Sequence, residues 1–235
     1  MDIAAVLFDL DFTLAKPGPD LGPEGYQRLG RRFGLELEPS LYQEARAKAV
    51  EGLRKHPDFR HDEEIWVAFT ERIIRGMGGD SERAYDAAVE MTRAWEHAHN
   101  FDLYDDVPPV LDELRRRGLK LGIVSNTGRD VDEFLEHHKL SIDAALSSRV
   151  HGRVKPHPTI FQAVLERLGV EAGQAAMVGD SPEDDLDGAR ALGIRAFLVD
   201  REGVYADAED RLPDLFALPA ALGLGASSDP SPDTS

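Results

Sequence analysis

The sequence predicts an α/β protein, a doubly wound parallel sheet with a smaller helical body inserted into it. Three observations carry this. Residues 3–8 are an uncharged apolar run, too short for a helix, that fits a strand buried on both faces. Residues 24–100 repeat apolar residues at helical spacing with no strand-like alternation between them. From residue 105 to residue 199, helical and strand patterns alternate, which builds a parallel sheet covered on both faces.

The first strand runs into Asp9-Leu10-Asp11-Phe12-Thr13-Leu14. Two carboxylates at the end of a buried strand are costly without a counter-charge, and a hard divalent cation such as Mg²⁺ suits them. Residues 16–23 hold three prolines and two glycines and break the pattern. In the helical insert, Leu41, Ala45, Ala49 and Leu53 form one stripe, and Ile65, Trp66, Phe69, Ile73 and Met77 a second. A third runs through Tyr85, Ala88, Val89, Thr92 and Trp95. The aromatic residues Trp66, Phe69 and Trp95 read as core packing. Residues 54–61 form a basic, proline-containing loop, read as a solvated connection rather than a substrate contact.

Further on, the pattern predicts helices over 107–117, 130–138, 157–168 and 186–192, the first, third and fourth each followed by glycine. It predicts strands over 119–125, 142–146, 175–178 and 195–199. Residues 226–235 are small, polar and proline-containing, and are expected to be disordered. The expected division is a discontinuous core (1–16 and 101–225), an inserted body (17–100) and the tail (226–235).

The formal net charge of −17 argues against nucleic acid and anionic membranes as partners. With no cysteine, disulfides, thiolate metal sites and cysteine nucleophiles are excluded. No apolar run approaches the ~20 residues of a membrane span, and no signal peptide is evident, so the cytoplasm is the expected compartment. A monomer or homodimer is the expected assembly.

Four polar clusters fall where a doubly wound sheet gathers the C-terminal ends of its strands. They are Asp9 with Asp11, Ser125 with Asn126, Lys155 on a loop, and Asp180 with Asp184 or Asp185. Each alone has a bland explanation, such as a helix cap or an acidic first turn. Together, with Lys155-Pro156 opening a helix and Gly179-Asp180-Ser181-Pro182-Glu183-Asp184-Asp185 closing a strand, they resemble the four motifs of the haloacid dehalogenase superfamily. The resemblance covers residues 3 to about 200 and implies a Rossmann-like core, with residues 17–100 as a mobile helical cap. One departure is Phe12, where most phosphatase members have glycine. It leaves every chemical group in place.

General chemistry supports the same roles. Asp9 can act as nucleophile and form an acyl phosphate. Asp11 can protonate the leaving oxygen and then deprotonate water. Ser125 and the amide of Asn126 can donate to phosphoryl oxygens, and Lys155 offers a point charge to both phosphate and Asp9. Thr13 is counted with the substrate-binding residues. Mg²⁺ is expected on the Asp9 carboxylate, the Asp11 main-chain carbonyl and Asp180. The resemblance implies that Asp185 supports the metal from just outside, and Asp184, one position away, stays open. It also implies that carbon–halogen cleavage does not need Asp11 and that phosphonate cleavage uses a cap lysine. The expected activity is therefore Mg²⁺-dependent hydrolysis of a small phosphorylated metabolite. The alternatives are a sugar-phosphate mutase of the same superfamily and a non-catalytic binding protein retaining the fold.

Overall fold

The computed structural model describes residues 2–52 and 58–225. The expected disordered tail and residues 54–57 of the basic loop lie outside the described residues. In chain order the elements begin with β1 (Ala5–Phe8), β2 (Ala15–Pro17), α1 (Pro23–Arg32), α2 (Tyr42–Glu51), α3 (Glu63–Gly76) and α4 (Ala84–Ala94). They continue through β3 (Phe101–Leu103), α5 (Val107–Arg116), β4 (Lys120–Ser125), α6 (Val131–His138), β5 (Ala144–Ser147) and α7 (Ser148–His151). Then come α8 (Pro158–Leu168), β6 (Ala175–Gly179), a π-helical turn (Pro182–Asp187), α9 (Gly188–Arg190), β7 (Arg195–Val199), β8 (Arg211–Leu212) and α10 (Leu218–Ala221).

The main sheet has six strands in the order β5-β4-β1-β6-β7-β8, all parallel. β1 is central, with β4 on one side and β6 on the other, so the winding reverses direction at β1. That switch point is where such sheets open a crevice beyond their strand ends. All four residues of β1 are buried. Val6 and Phe8 pack into the apolar cluster shared with the inserted helices and α5, while Ala5 and Leu7 pack against Ile160, Phe161 and Val164 of α8. One uncharged strand thus feeds two cores, which makes the molecule three-layered. Helix α8 stops at Gly169, whose φ of +64° is the left-handed cap that glycine adopts at little cost.

Helices α1–α4 form the inserted cap. Leu35, Leu37, Ala45, Ile73, Ile74 and Met77 close its interior. Where the chain leaves and re-enters the core, β2 and β3 pair antiparallel as a separate two-stranded ribbon. This ribbon lies in stretches that the sequence read only as a linker and a boundary. Three residues are too few to show a period of two, and Pro17 masks the rest. The basic loop also differs from expectation in its described part. The Phe59 carbonyl accepts from Val154 N at 2.8 Å, His61 N donates to Gly152 O at 3.1 Å, and His61 Nδ1 meets Ser148 Oγ at 2.9 Å. These residues dock the cap onto the core instead of lying free in solvent. No helix among the described residues is long and apolar enough to cross a membrane.

Candidate active site

Asp9 is the first residue beyond β1, and its N–H still bonds across to Val178 O of β6 at 2.9 Å. The chain then turns tightly: Leu14 N and Ala15 N both donate to Leu10 O at 2.9 Å. Inside this turn Phe12 adopts φ +63°. A side chain there costs roughly 1–2 kcal/mol that glycine would avoid. Arg201 holds the turn from behind, donating to Thr13 O at 2.9 Å and to both carboxylate oxygens of the buried Asp106 at 2.8 and 3.0 Å.

Lys155 is only 2% exposed. Its ammonium bonds to Oδ1 of Asp9 and, at 2.7 Å, to Oδ1 of Asp185. Asn126 fixes the backbone of this lysine. Its Oδ1 accepts from Lys155 N at 2.7 Å, and its Nδ2 donates to Lys155 O at 3.2 Å and to Asp184 at 3.3 Å. The side chain of Asn126, at the end of β4, therefore carries the loop that carries the lysine. Asp185 is turned inward by the π-helical turn, with its Oδ2 accepting from Ser181 N at 3.1 Å. It lies directly over Gly179, where a Cβ would fall 2.2 Å from the Asp185 carboxyl carbon. Asp184, by contrast, faces Asn126. The structure thus brings Asp185, not Asp184, together with Asp9 and Asp180: one oxygen from each of the three lies within 4.8 Å of the others.

Three carboxylates and one ammonium would leave a formal charge of −2 in a nearly dry site if all were ionised. Burial raises Asp9, Asp185 and Asp180, and the last is pushed up to about 8 by burial and then by the charges of Asp9 and Asp185. Burial alone would lower Lys155, but Asp185 and Asp9 outweigh it and hold the lysine above its ordinary value. An all-oxygen donor set with two surplus negative charges fits a hard divalent ion.

Asp11 lies apart from that trio. Its Oδ1 accepts from Arg129 Nη1 at 3.0 Å. Arg129 is 1% exposed, sits 3.6 Å above the Phe101 ring, and also donates through Nε and Nη2 to the Trp95 carbonyl at 3.3 and 3.2 Å. Over these groups lies a cavity of about 290 Å³, walled on the cap side by aromatic residues that include Trp66, Phe69 and Trp95. All three are only half-buried, so they form a cavity wall as well as packing.

Compared with known proteins, residues 3–193 match the haloacid dehalogenase-like hydrolase family. The chain belongs to this family. It is similar to a phosphatase of Mycobacterium tuberculosis, with 40% identity covering 94% of this chain and 98% of that one. It is also similar to a phosphoserine phosphatase of Thermus thermophilus, with 32% identity covering 89% and 93%. A crystal structure of a haloacid dehalogenase superfamily phosphatase from Thermococcus onnurineus superposes with a TM-score of 0.65 at 30% identity, covering 95% and 98%.

Within this hydrolase, Asp9, Asp11, Ser125, Asn126, Lys155, Asp180 and Asp185 all line the one cavity. Thr13 does not: it is fully buried beneath the turn, with no hydrogen-bond partner for its hydroxyl. This differs from the expectation that Thr13 belongs with the substrate-binding residues. The hydrolase also has a site residue that the sequence reading missed, Arg129. The available signal was a cation three positions beyond Asn126 in a strongly acidic chain, but no periodicity points it at Asp11.

Proposed function

We propose that this protein is a Mg²⁺-dependent phosphomonoesterase that hydrolyses a small phosphorylated metabolite through an aspartyl phosphate on Asp9. The supporting observation is that one buried ammonium holds Asp9 beside Asp180 and Asp185, while a further carboxylate, Asp11, stands outside that trio on the same turn. This separation supports reading one aspartate as the nucleophile and the other as the proton-transfer group.

In this reading the Asp9 carboxylate attacks phosphorus and the bond to the leaving oxygen breaks. Asp11 gives that oxygen a proton. Water then attacks the acyl phosphate, Asp11 takes the proton back, and inorganic phosphate leaves. Ser125, 1% exposed at the end of β4, and the amide of Asn126 donate to the equatorial oxygens. Lys155 keeps Asp9 oriented. Asp9, Asp180 and the Asp11 carbonyl would hold Mg²⁺, with Asp185 bracing the site; the ion supplies neutralisation of the charge on the transferring group. We further propose that residues 17–100 move as the cap against residues 1–16 and 101–225, hinged at the β2–β3 ribbon, and close water out during transfer.

The test is phosphate release from a panel of phosphorylated metabolites at fixed Mg²⁺, with and without EDTA. Metal-dependent release supports the reading. Isomerisation of sugar phosphates without release would favour a mutase, and no turnover of any substrate would leave a binding protein.

A further inference from the structure

Among the described residues, the cap half of the cavity contains one cation that the chemistry above does not use. Arg46 lies on α2, half-buried, and lines the cavity with Asp9 and Lys155. The other cations that line the cavity are already paired. Arg129 is held by Asp11, and Lys155 by Asp9 and Asp185. The cap-side carboxylates Glu63 and Glu96 both face Arg149, at 3.7 and 3.9 Å. Arg46 has no carboxylate at ion-pair distance among the described residues; its guanidinium instead sits 5.3 Å from the centre of the Phe12 ring.

Phe12 is itself unusual. It keeps a large side chain at a left-handed φ, and the ring projects into the cavity, 6.4 Å from the Trp95 ring. Backbone strain at a site wall points to a use for the side chain. Phe12 follows Asp9 by three residues, so their Cα atoms are at most ~11 Å apart. The guanidinium over its ring and the Asp9 carboxylate line the same cavity of about 290 Å³, so one small molecule bound there faces both. Phe12, Trp95, Trp66 and Phe69 give the same cavity an apolar, aromatic wall. An unpaired guanidinium presents a planar fork of donors suited to carboxylate or phosphate oxygens.

We propose that Arg46 and Phe12 form a recognition subsite for the leaving group. On this assignment, which rests on the phosphomonoesterase reading, the protein selects phosphomonoesters whose alcohol has an apolar or aromatic body ending in a second anion. The anion pairs with Arg46, and the body lies along Phe12. The ring also holds the guanidinium in place before substrate arrives, through its negative face.

The experiment compares three substrates with one leaving geometry: 4-(phosphooxymethyl)benzoate, its methyl ester, and the bis-phosphate of the corresponding diol. In the wild type, kcat/KM for the carboxylate or the bis-phosphate should exceed that for the ester by roughly ten- to a hundred-fold, the range of a charge-assisted hydrogen bond. Whichever of the two leads identifies the anion. In Arg46→Met the ratio to the ester should fall close to one, and in Arg46→Lys part of it should return. In Phe12→Gly the KM for all three should rise relative to a short aliphatic phosphomonoester. Equal kcat/KM for acid, bis-phosphate and ester in the wild type, with all hydrolysed, would overturn the subsite and leave the phosphatase reading standing. That comparison needs no variant, so it holds whether or not Arg46→Met folds. A preference that survives in Arg46→Met would overturn the assignment to Arg46. Absence of release from these three and from every metabolite in the panel would overturn both.

Discussion

Arg129 joins Asp11 to the cap: a single buried guanidinium donates to the Asp11 carboxylate at 3.0 Å and to the Trp95 carbonyl, at the end of α4, at 3.2 Å. Asp11, the proposed proton-transfer residue, and the end of the last inserted helix therefore share one partner. A cap movement that draws Trp95 away changes what Arg129 can hold. The stacking on Phe101, the first residue of β3, ties the same side chain to the ribbon on which the cap returns.

Replacing Arg129 should separate positioning from chemistry. Arg129→Met leaves Asp11 without its partner and the Trp95 carbonyl without two donors. The loss of charge-assisted bonds from a buried group should cost about 2–3 kcal/mol of stability. Turnover of alkyl phosphates, which need a proton on the leaving oxygen, should fall further than that of an activated aryl phosphate. Arg129→Lys should recover part of the alkyl activity. Steady-state kinetics on the two substrate types, beside a denaturant titration, checks this. An equal fall for both substrates would reduce Arg129 to a structural role.

Asp9 and Asp11 should fail differently. Asp9→Asn removes the nucleophile, so turnover should vanish. Asp11→Asn keeps the nucleophile but loses the proton-transfer group, typically a ~10²–10⁴-fold loss in rate. With a good leaving group, Asp9 should still be phosphorylated, and the intermediate should persist because water lacks its base. Rapid quench should show a burst, and mass spectrometry one phosphoryl group on the peptide holding Asp9. Label on Ser125, or similar turnover in both variants, would contradict the assignment.

The core of the site was legible because strand-end chemistry is local. Asp9 and Asp180 each follow directly on an apolar run, and the run predicts where the carboxylate stops. Lys155 became legible only in combination, since a lysine before a proline is ordinary by itself. Trp66 and Phe69 show the limit of periodicity: a core residue and a cavity-wall residue face the same way on a helix and give the same pattern. Arg46, Phe12 and Arg129 were not legible as site residues, because what assigns them is contact between segments far apart in sequence. Asp185 over Asp184 needed the π-helical turn, which shifts the register that ordinary helical spacing would give.

Gly179 should be intolerant of any side chain, although it has no chemistry of its own. It closes β6 directly beneath Asp185, and an added Cβ would fall 2.2 Å from that carboxyl carbon and 2.5 Å from its Cβ. Neither group is a flexible chain end, so Asp185 must move, releasing Lys155 and the Ser181 amide. Gly179→Ala should lose activity as severely as Asp185→Ala and destabilise by about 1–3 kcal/mol, the usual cost of overpacking. Comparing phosphate release and urea midpoints of the two variants tests this. Full activity in Gly179→Ala would show that Asp185 need not pack against the strand.

The acid cluster should make metal-free stability fall as pH rises. Asp180 is raised in the folded state to about 8, whereas in the unfolded chain it returns to the ordinary carboxylate value of 3.8. Between those values the native state binds more protons than the unfolded one, so the slope of unfolding free energy with pH is negative. The contribution is fully present below about pH 4 and lost as pH passes about 8. Other carboxylates titrate in the same protein, so the comparison must be with Asp180→Asn, which cannot ionise. In chelator, the wild type should melt progressively below the variant from about pH 5 to about pH 8.5. A difference of ~1–3 kcal/mol would separate them by several degrees for a chain of this size. Mg²⁺ should act in the opposite sense, because it binds the ionised carboxylates and competes with the protons. At a hundred times its dissociation constant it should add about 2.7 kcal/mol to the wild type, more at high pH than at low, and little to Asp180→Asn. Scanning calorimetry across pH, with and without Mg²⁺, measures both trends. A metal-free wild type that gained stability relative to the variant with rising pH would mean that Asp180 is already ionised and balanced in the empty site.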